Sequence, residues 1–152
     1  MRMDSAQIDF EPEIVVFYCQ NCVQKDVALA DSIRRLEGIL TRFVVVACSG
    51  KVEVGHIISI LEQGIDGVQV IRCPDGECRF IDGNAKALDR VAHVRNLMEN
   101  IGFGKKRVNM AVGDQLTQDD LFRLATAFGR EVSLQGPNPM KNAQKDSVPK
   151  DA

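Results

Sequence analysis

Three β-branched runs in this chain each deliver a cysteine where the run stops. Ile14–Tyr18 leads straight into Cys19, Phe43–Ala47 into Cys48, and Gly67–Ile71 reaches Cys73 across one arginine. Continuous apolar runs of this length suit strands buried on both faces, and such strands belong to parallel sheets covered by helices. All strands of a parallel sheet point the same way, so their C-terminal ends share one edge, where ligands bind. The sequence therefore predicts that thiols far apart in the chain meet at one place.

The segments between the runs read as helices. Asp26 is placed to cap a helix carrying Val27, Leu29, Ala30, Ile33 and Leu36 toward a core. A second helix is expected over 54–63, with Gly64 as its stop, and a third over 84–100, with Asn84 as N-cap and Gly102 as stop. Arg107–Val112 reads as a fourth strand, and Thr117 caps a last helix containing Leu121, Leu124, Ala127 and Phe128. This βαβαβαβα order predicts an α/β fold: a single flavodoxin-like domain with a four-stranded parallel sheet, order 2-1-3-4, and helices on both faces. The expected domain spans 14–135, after an acidic N-terminal arm (1–13) and before a disordered polar tail (136–152).

All five cysteines, Cys19, Cys22, Cys48, Cys73 and Cys78, lie at or just beyond the first three strand ends. An odd number excludes a complete disulfide framework, and clustered cysteines in a reducing compartment bind metal or do redox chemistry more often than they form structural bridges. Cys19-Gln-Asn-Cys22 has the spacing by which neighbouring thiolates chelate one metal. Cys73-Pro-Asp-Gly-Glu-Cys78 has the four-residue spacing of plant-type ferredoxins. Thiolates are soft ligands that select iron–sulfur clusters, zinc or Cu(I). Four of the five would complete a [2Fe–2S] centre. The same residues also suit a structural four-cysteine zinc site in a non-redox adaptor. Cys19-x-x-Cys22 alone is compatible with a thioredoxin-like dithiol, and Cys48 alone reads as a buried core cysteine.

Other features set limits. A net charge of −2 gives no global attraction to nucleic acid or anionic lipid. No apolar run approaches the ~20 residues of a membrane span. Residues 1–10 lack a signal-peptide core, so the expected location is cytoplasmic. His56 follows the Cys48 loop, whereas His93 falls mid-helix, so a two-histidine Rieske set is not expected. Lys51, Arg72 and Arg79 flank the cysteines as surface charge or as compensation for a thiolate cluster. There is no Ser/His/Asp constellation, no GxGxxG fingerprint and no Walker loop.

Five pieces then point to a family: Cys19-Gln-Asn-Cys22, Val46-Ala-Cys48-Ser-Gly-Lys-Val52, Glu62-Gln-Gly-Ile-Asp-Gly-Val68, Cys73-Pro-Asp-Gly-Glu-Cys78-Arg-Phe-Ile-Asp-Gly-Asn84 and Arg95-Asn-Leu-Met-Glu-Asn-Ile-Gly102. Together they resemble the delta subunit of methyl-viologen-reducing hydrogenase over about residues 14–128. The resemblance implies a [2Fe–2S] electron-transfer subunit with no catalytic site of its own. It would relay electrons between an oxidoreductase module and a flavin-bearing heterodisulfide-reductase A-like subunit, in a multisubunit complex of the electron-bifurcating kind. The oxidoreductase would be of hydrogenase, formate dehydrogenase, methylenetetrahydrofolate reductase or benzoyl-CoA reductase type. Pro74 stands where the family usually has histidine.

Overall fold

A computed structural model describes residues 10–29, 31–78 and 82–141. Residues 1–9 of the arm, Ala30, residues 79–81 with Arg79 among them, and residues 142–152 of the tail lie outside the described ones. The strands are β1 (Glu13–Cys19), β2 (Ile33–Leu36), β3 (Ile39–Val46), β4 (Gly67–Arg72) and β5 (Val108–Val112). The helices are α1 (Val54–Glu62), α2 (Gly83–Asn100) and α3 (Gln118–Gln135). Short 3₁₀ turns cover Gln20–Cys22, Ser49–Lys51 and Lys105–Arg107.

The sheet runs β2-β3-β1-β4-β5. β1 pairs in parallel with β3 and β4, and β4 with β5, so these four follow one another in the expected succession. The sheet is nonetheless five-stranded and mixed, not a four-stranded parallel sheet, because β2 adds an antiparallel edge. Three helices are present among the described residues rather than four.

The difference arises after Asp26. Ile33 to Leu36, expected as the second half of a helix, pair with Arg42 to Ile39 as a hairpin. Leu36 faces Ile39, so Glu37 and Gly38 alone make the turn, with φ of 51° and 84°. Two consecutive left-handed residues match the right-handed twist of a hairpin. The apolar spacing that resembled a helix face is shared instead between a buried loop residue, Leu29, and a strand whose Ile33 faces solvent.

Every residue of β1 after Glu13 is buried, as is every residue of β4, which explains their unbroken apolar character. One face packs Ile14, Val16, Tyr18, Phe43 and Ile71 under α3, through Leu121, Ala125, Phe128 and Val132. The other packs Val15, Phe17, Val68 and Val70 under α1 and α2. Thr117 caps α3 in a reciprocal box with Asp120.

At the N-terminal ends of the strands, opposite the cysteines, the fully buried Asp66 holds the chain together. Its carboxylate accepts from Glu13 N–H at 2.8 Å and Asn138 N–H at 2.7 Å, and pairs with Lys141 Nζ at 2.8 Å. Asn138 is 1% exposed and donates to the Leu61 and Ile65 carbonyls. Arg107 donates to the carbonyls of Gln135, Gly136 and Pro137. Residues 136–141, which composition assigns to the tail, are thus packed onto the folded unit. Polar composition misleads here because each polar group has a specific buried partner.

Candidate metal centre

The sheet register delivers the cysteines as expected. Cys19 ends β1, Cys48 lies two residues beyond β3, and Cys73 follows β4 directly. In both of the first two cases the cysteine caps a 3₁₀ turn. Cys19 Sγ accepts the Asn21 N–H at 3.4 Å, and Cys48 Sγ accepts the Gly50 N–H at 3.4 Å. Backbone N–H groups aimed at sulfur favour its thiolate form. The first turn also brings Cys22 back beside Cys19.

The five sulfurs fall into two groups. Those of Cys19, Cys22 and Cys73 all lie within 4.8 Å of one another, with Cys19 and Cys22 each 3.6 Å from Cys73. Those of Cys48 and Cys78 are 3.7 Å apart. These separations bear on the chemistry. A disulfide needs about 2.05 Å between sulfurs. Two thiolates on one tetrahedral ion, with metal–sulfur bonds of about 2.3 Å, lie about 3.8 Å apart. All three distances exclude a disulfide; they suit thiols in hydrogen-bonding contact and equally a set of thiolates gathered for one metal or cluster.

Burial grades across the site. Cys19, Cys22, Cys48 and Cys73 are buried, whereas Cys78 is half-buried. A cleft of about 170 Å³ opens beside Cys48, lined by Gly50, Lys51, Asp82, Gly83 and Lys86. The site therefore has a deep side at the three-thiol group and a solvent-facing side at the Cys48/Cys78 pair. His56 is not part of it; its ring stacks edge-on to Phe17 at 5.3 Å. His93 is exposed on α2.

Proton sharing within the deep group is uneven. The Cys22 thiol donates to Cys19, and together with the Asn21 N–H this holds Cys19 down at about 5 despite its burial. The same hydrogen bond, reinforced by burial, pushes Cys22 far above the usual thiol range. Burial lifts Cys73 to about 11 and raises Cys48 as well. Without metal, one thiolate is thus shared by three sulfurs.

The start of α2 closes the site. Gly83 lies so close that a Cβ there would sit 2.1 Å from Cys48 Sγ and 3.2 Å from Cys78 Sγ. Asn84, expected as a helix cap, lies inside the helix and is buried. Its amide donates to the carbonyls of Cys73 at 3.2 Å and Pro74 at 2.7 Å. Arg72 is buried and donates to the Cys73 carbonyl and to Asp75. Arg90 donates to the carbonyls of Gly50 and Val52. The Gly-Asn pair beside the last cysteine signals Asn84's position but not its partners. Arg90, one charge among several on a helix, carries no sequence signal.

Residues 14–134, from the first strand through nearly all of α3, match the methyl-viologen-reducing hydrogenase delta subunit family. The chain belongs to that family. Its similarity to individual members is moderate and extends along most of their length. It is 28% identical over 131 residues to a vhu F420-non-reducing hydrogenase iron-sulfur subunit of the D type from Methanocaldococcus jannaschii, covering 86% of this chain and 98% of that one. It is 35% identical over 102 residues to the D-type iron-sulfur subunit of F420-non-reducing hydrogenase from Archaeoglobus profundus, covering 67% and 74%. A different kind of relative is the A-type subunit of ferredoxin:CoB-CoM heterodisulfide reductase from Methanosarcina mazei. It is 26% identical over 126 residues, which take up 83% of this chain but only 16% of that much longer protein. No helix among the described residues of this delta-subunit family member is long and apolar enough to cross a membrane.

Proposed function

We propose that this chain is an iron–sulfur electron-transfer subunit of an oxidoreductase complex, holding a [2Fe–2S] cluster between its two groups of cysteines. The observation that carries this reading is the set of sulfur separations, 3.6, 3.6 and 3.7 Å, at the shared end of three parallel strands. On this reading Cys48 and Cys78 hold one iron, and two of Cys19, Cys22 and Cys73 hold the other. When bound, such a cluster supplies a one-electron carrier. The chain's own residues do the rest. The N–H groups of Asn21 and Gly50 offset thiolate charge at Cys19 and Cys48. Burial of Cys19, Cys22 and Cys73 keeps water from the deep side. Half-buried Cys78 and the cleft beside Cys48 leave one side open for a redox partner to approach.

The hydrogenase names of its relatives support a hydrogenase-type module as electron source, within the broader set that includes formate dehydrogenase, methylenetetrahydrofolate reductase and benzoyl-CoA reductase types. The occurrence of a similar segment within a heterodisulfide-reductase A-type protein supports a flavin-bearing neighbour of that kind, in a complex of the electron-bifurcating type. No residue of this chain is assigned a catalytic role.

Anaerobic purification followed by iron, sulfide and zinc analysis tests the reading. About two irons and two sulfides per chain are expected. Visible absorption should bleach with dithionite, and the reduced form should give an EPR signal. A colourless protein with stoichiometric zinc overturns it in favour of a structural zinc site.

A further inference from the structure

Helix α2 touches both groups of cysteines, and it does so through side chains that no ligand role requires. Asn84 reaches the Cys73 loop, donating to the Cys73 and Pro74 carbonyls. Nearly two turns further along, Arg90 reaches the Cys48 loop, donating to the Gly50 and Val52 carbonyls, the latter at 3.3 Å. At the head of the helix, Gly83 lies against both outer sulfurs, and Gly50 lies against Gly83 so closely that a Cβ on Gly50 would come within 2.9 Å of the Gly83 Cα. Cys48 and Cys73 leave different strands, with β1 between them. Pairing with β1 spaces the strand ends, and the loops that continue from them are both bound in addition to this one helix.

We propose that α2 is a clamp that sets the spacing of two cysteine-bearing loops, one with Cys48 and the other with Cys73 and Cys78, with Asn84 and Arg90 as its positioning residues. The inference rests on the metal-site reading above, but it does not depend on which metal is held. Asn84 is buried, with its amide nitrogen committed to the Cys73 loop and its oxygen accepting the Ala85 N–H at 2.9 Å. Removing its donors frees the loop that carries Cys73 and Cys78. Removing Arg90 frees the loop that carries Cys48. Either change lets the sulfurs on one loop drift from those on the other, which weakens the hold on a cluster more than it weakens the fold. Residues that orient ligands in this way typically contribute ~10–100-fold to metal affinity.

The test compares the anaerobically loaded full-length chain with Asn84→Asp, Asn84→Ala, Arg90→Ala and Arg90→Lys. Leu88→Ala, an exposed α2 position, serves as control. The readouts are the rate of metal loss to a chelator, the visible and EPR spectra of the cluster, and its midpoint potential. Expected are ~10-fold faster loss for both Asn84 variants and for Arg90→Ala, with altered spectra, partial rescue by Arg90→Lys and no change for Leu88→Ala. Asn84→Asp keeps the acceptor for Ala85 N–H but sets a carboxylate against the two carbonyls, so the uncharged Asn84→Ala must show the same loss for the clamp to stand. Wild-type release rate and spectrum in Asn84→Asp and Arg90→Ala overturn the clamp. So does a fall in thermal stability with release and spectra unchanged, which marks an ordinary packing role. If the wild-type chain takes up zinc and no iron, the iron–sulfur reading fails, and the same release comparison on the zinc-loaded chains decides the clamp.

Discussion

Cys19 and Cys22 are close neighbours in the chain and opposite in acidity. Cys19 gathers hydrogen bonds from Cys22 and from its own turn, and so holds a thiolate at neutral pH, while Cys22 keeps its proton far into the alkaline range. A metal entering here would meet one sulfur already deprotonated, and its uptake by the others would release protons. In the metal-free, reduced chain, ultraviolet thiolate absorption should rise with an apparent midpoint at about 5. Cys19→Ser should abolish that low step and leave only alkaline titration. A wild-type chain titrating wholly near the ordinary thiol value would show that the shared proton is not held this way. Sequence spacing identifies these residues because a strand end followed by Cys-x-x-Cys forces both thiols to one edge. Spacing does not show that Cys78 pairs with Cys48 rather than with its nearer neighbour in the chain, Cys73, since that depends on the course of two loops.

Elements are legible in the sequence where one period dominates. β1 and β4 are buried on both faces, and only an unbroken apolar run satisfies that environment. Helices α1 and α3 show clear apolar stripes and recognisable stops or caps. The stretch 26–36 is not legible, because a few apolar residues at mixed spacing satisfy a helix template as well as a loop followed by an edge strand. The deciding signal is Glu37-Gly38, which is weaker than Asn-Gly yet sufficient when tertiary pairing rewards it. That turn gives a direct test. Gly38 sits at φ 84° in open space, so Gly38→Ala adds no clash but places a side chain in left-handed backbone. We expect a loss of about 1 kcal/mol in urea unfolding at unchanged m-value. Glu37→Asn should change stability little, since Asn tolerates that conformation better but gives up the exposed ion pair with Arg130. No loss in Gly38→Ala would mean that β2 contributes little to the folded state.

The molecule as a whole is organised about two ends of one sheet. One end gathers sulfur. The other gathers Asp66, Asn138, Lys141 and Arg107, and ties the first strand to the last described segment. The parallel order makes the sulfur end predictable. The opposite end is not, because its partners are backbone groups brought together by the completed fold. Asp66→Ala should cost about 3 kcal/mol, read by urea unfolding, since it leaves two N–H groups without their acceptor and strips Lys141 of its nearer carboxylate. Ending the chain at Gln135 should also destabilise it, because Asn138 is part of the same network. Full stability in both variants would show that this end is dispensable. A truncation meant to probe partner docking should therefore begin beyond Lys141, so that folding and assembly are not confused.

The sulfurs of Cys19 and Cys73 lie 3.6 Å apart although their residues are 54 positions apart in the chain. Pairing across parallel strands is slow to form, because long loops must close before any contact rewards them. A chain emerging from the ribosome displays Cys19-x-x-Cys22 before Cys73 or α2 has been made. Only after β4 has settled beside β1 does Cys73 join Cys19 and Cys22. A cluster held between Cys19 and Cys73 would therefore have to assemble on a chain whose first and fourth strands are already paired.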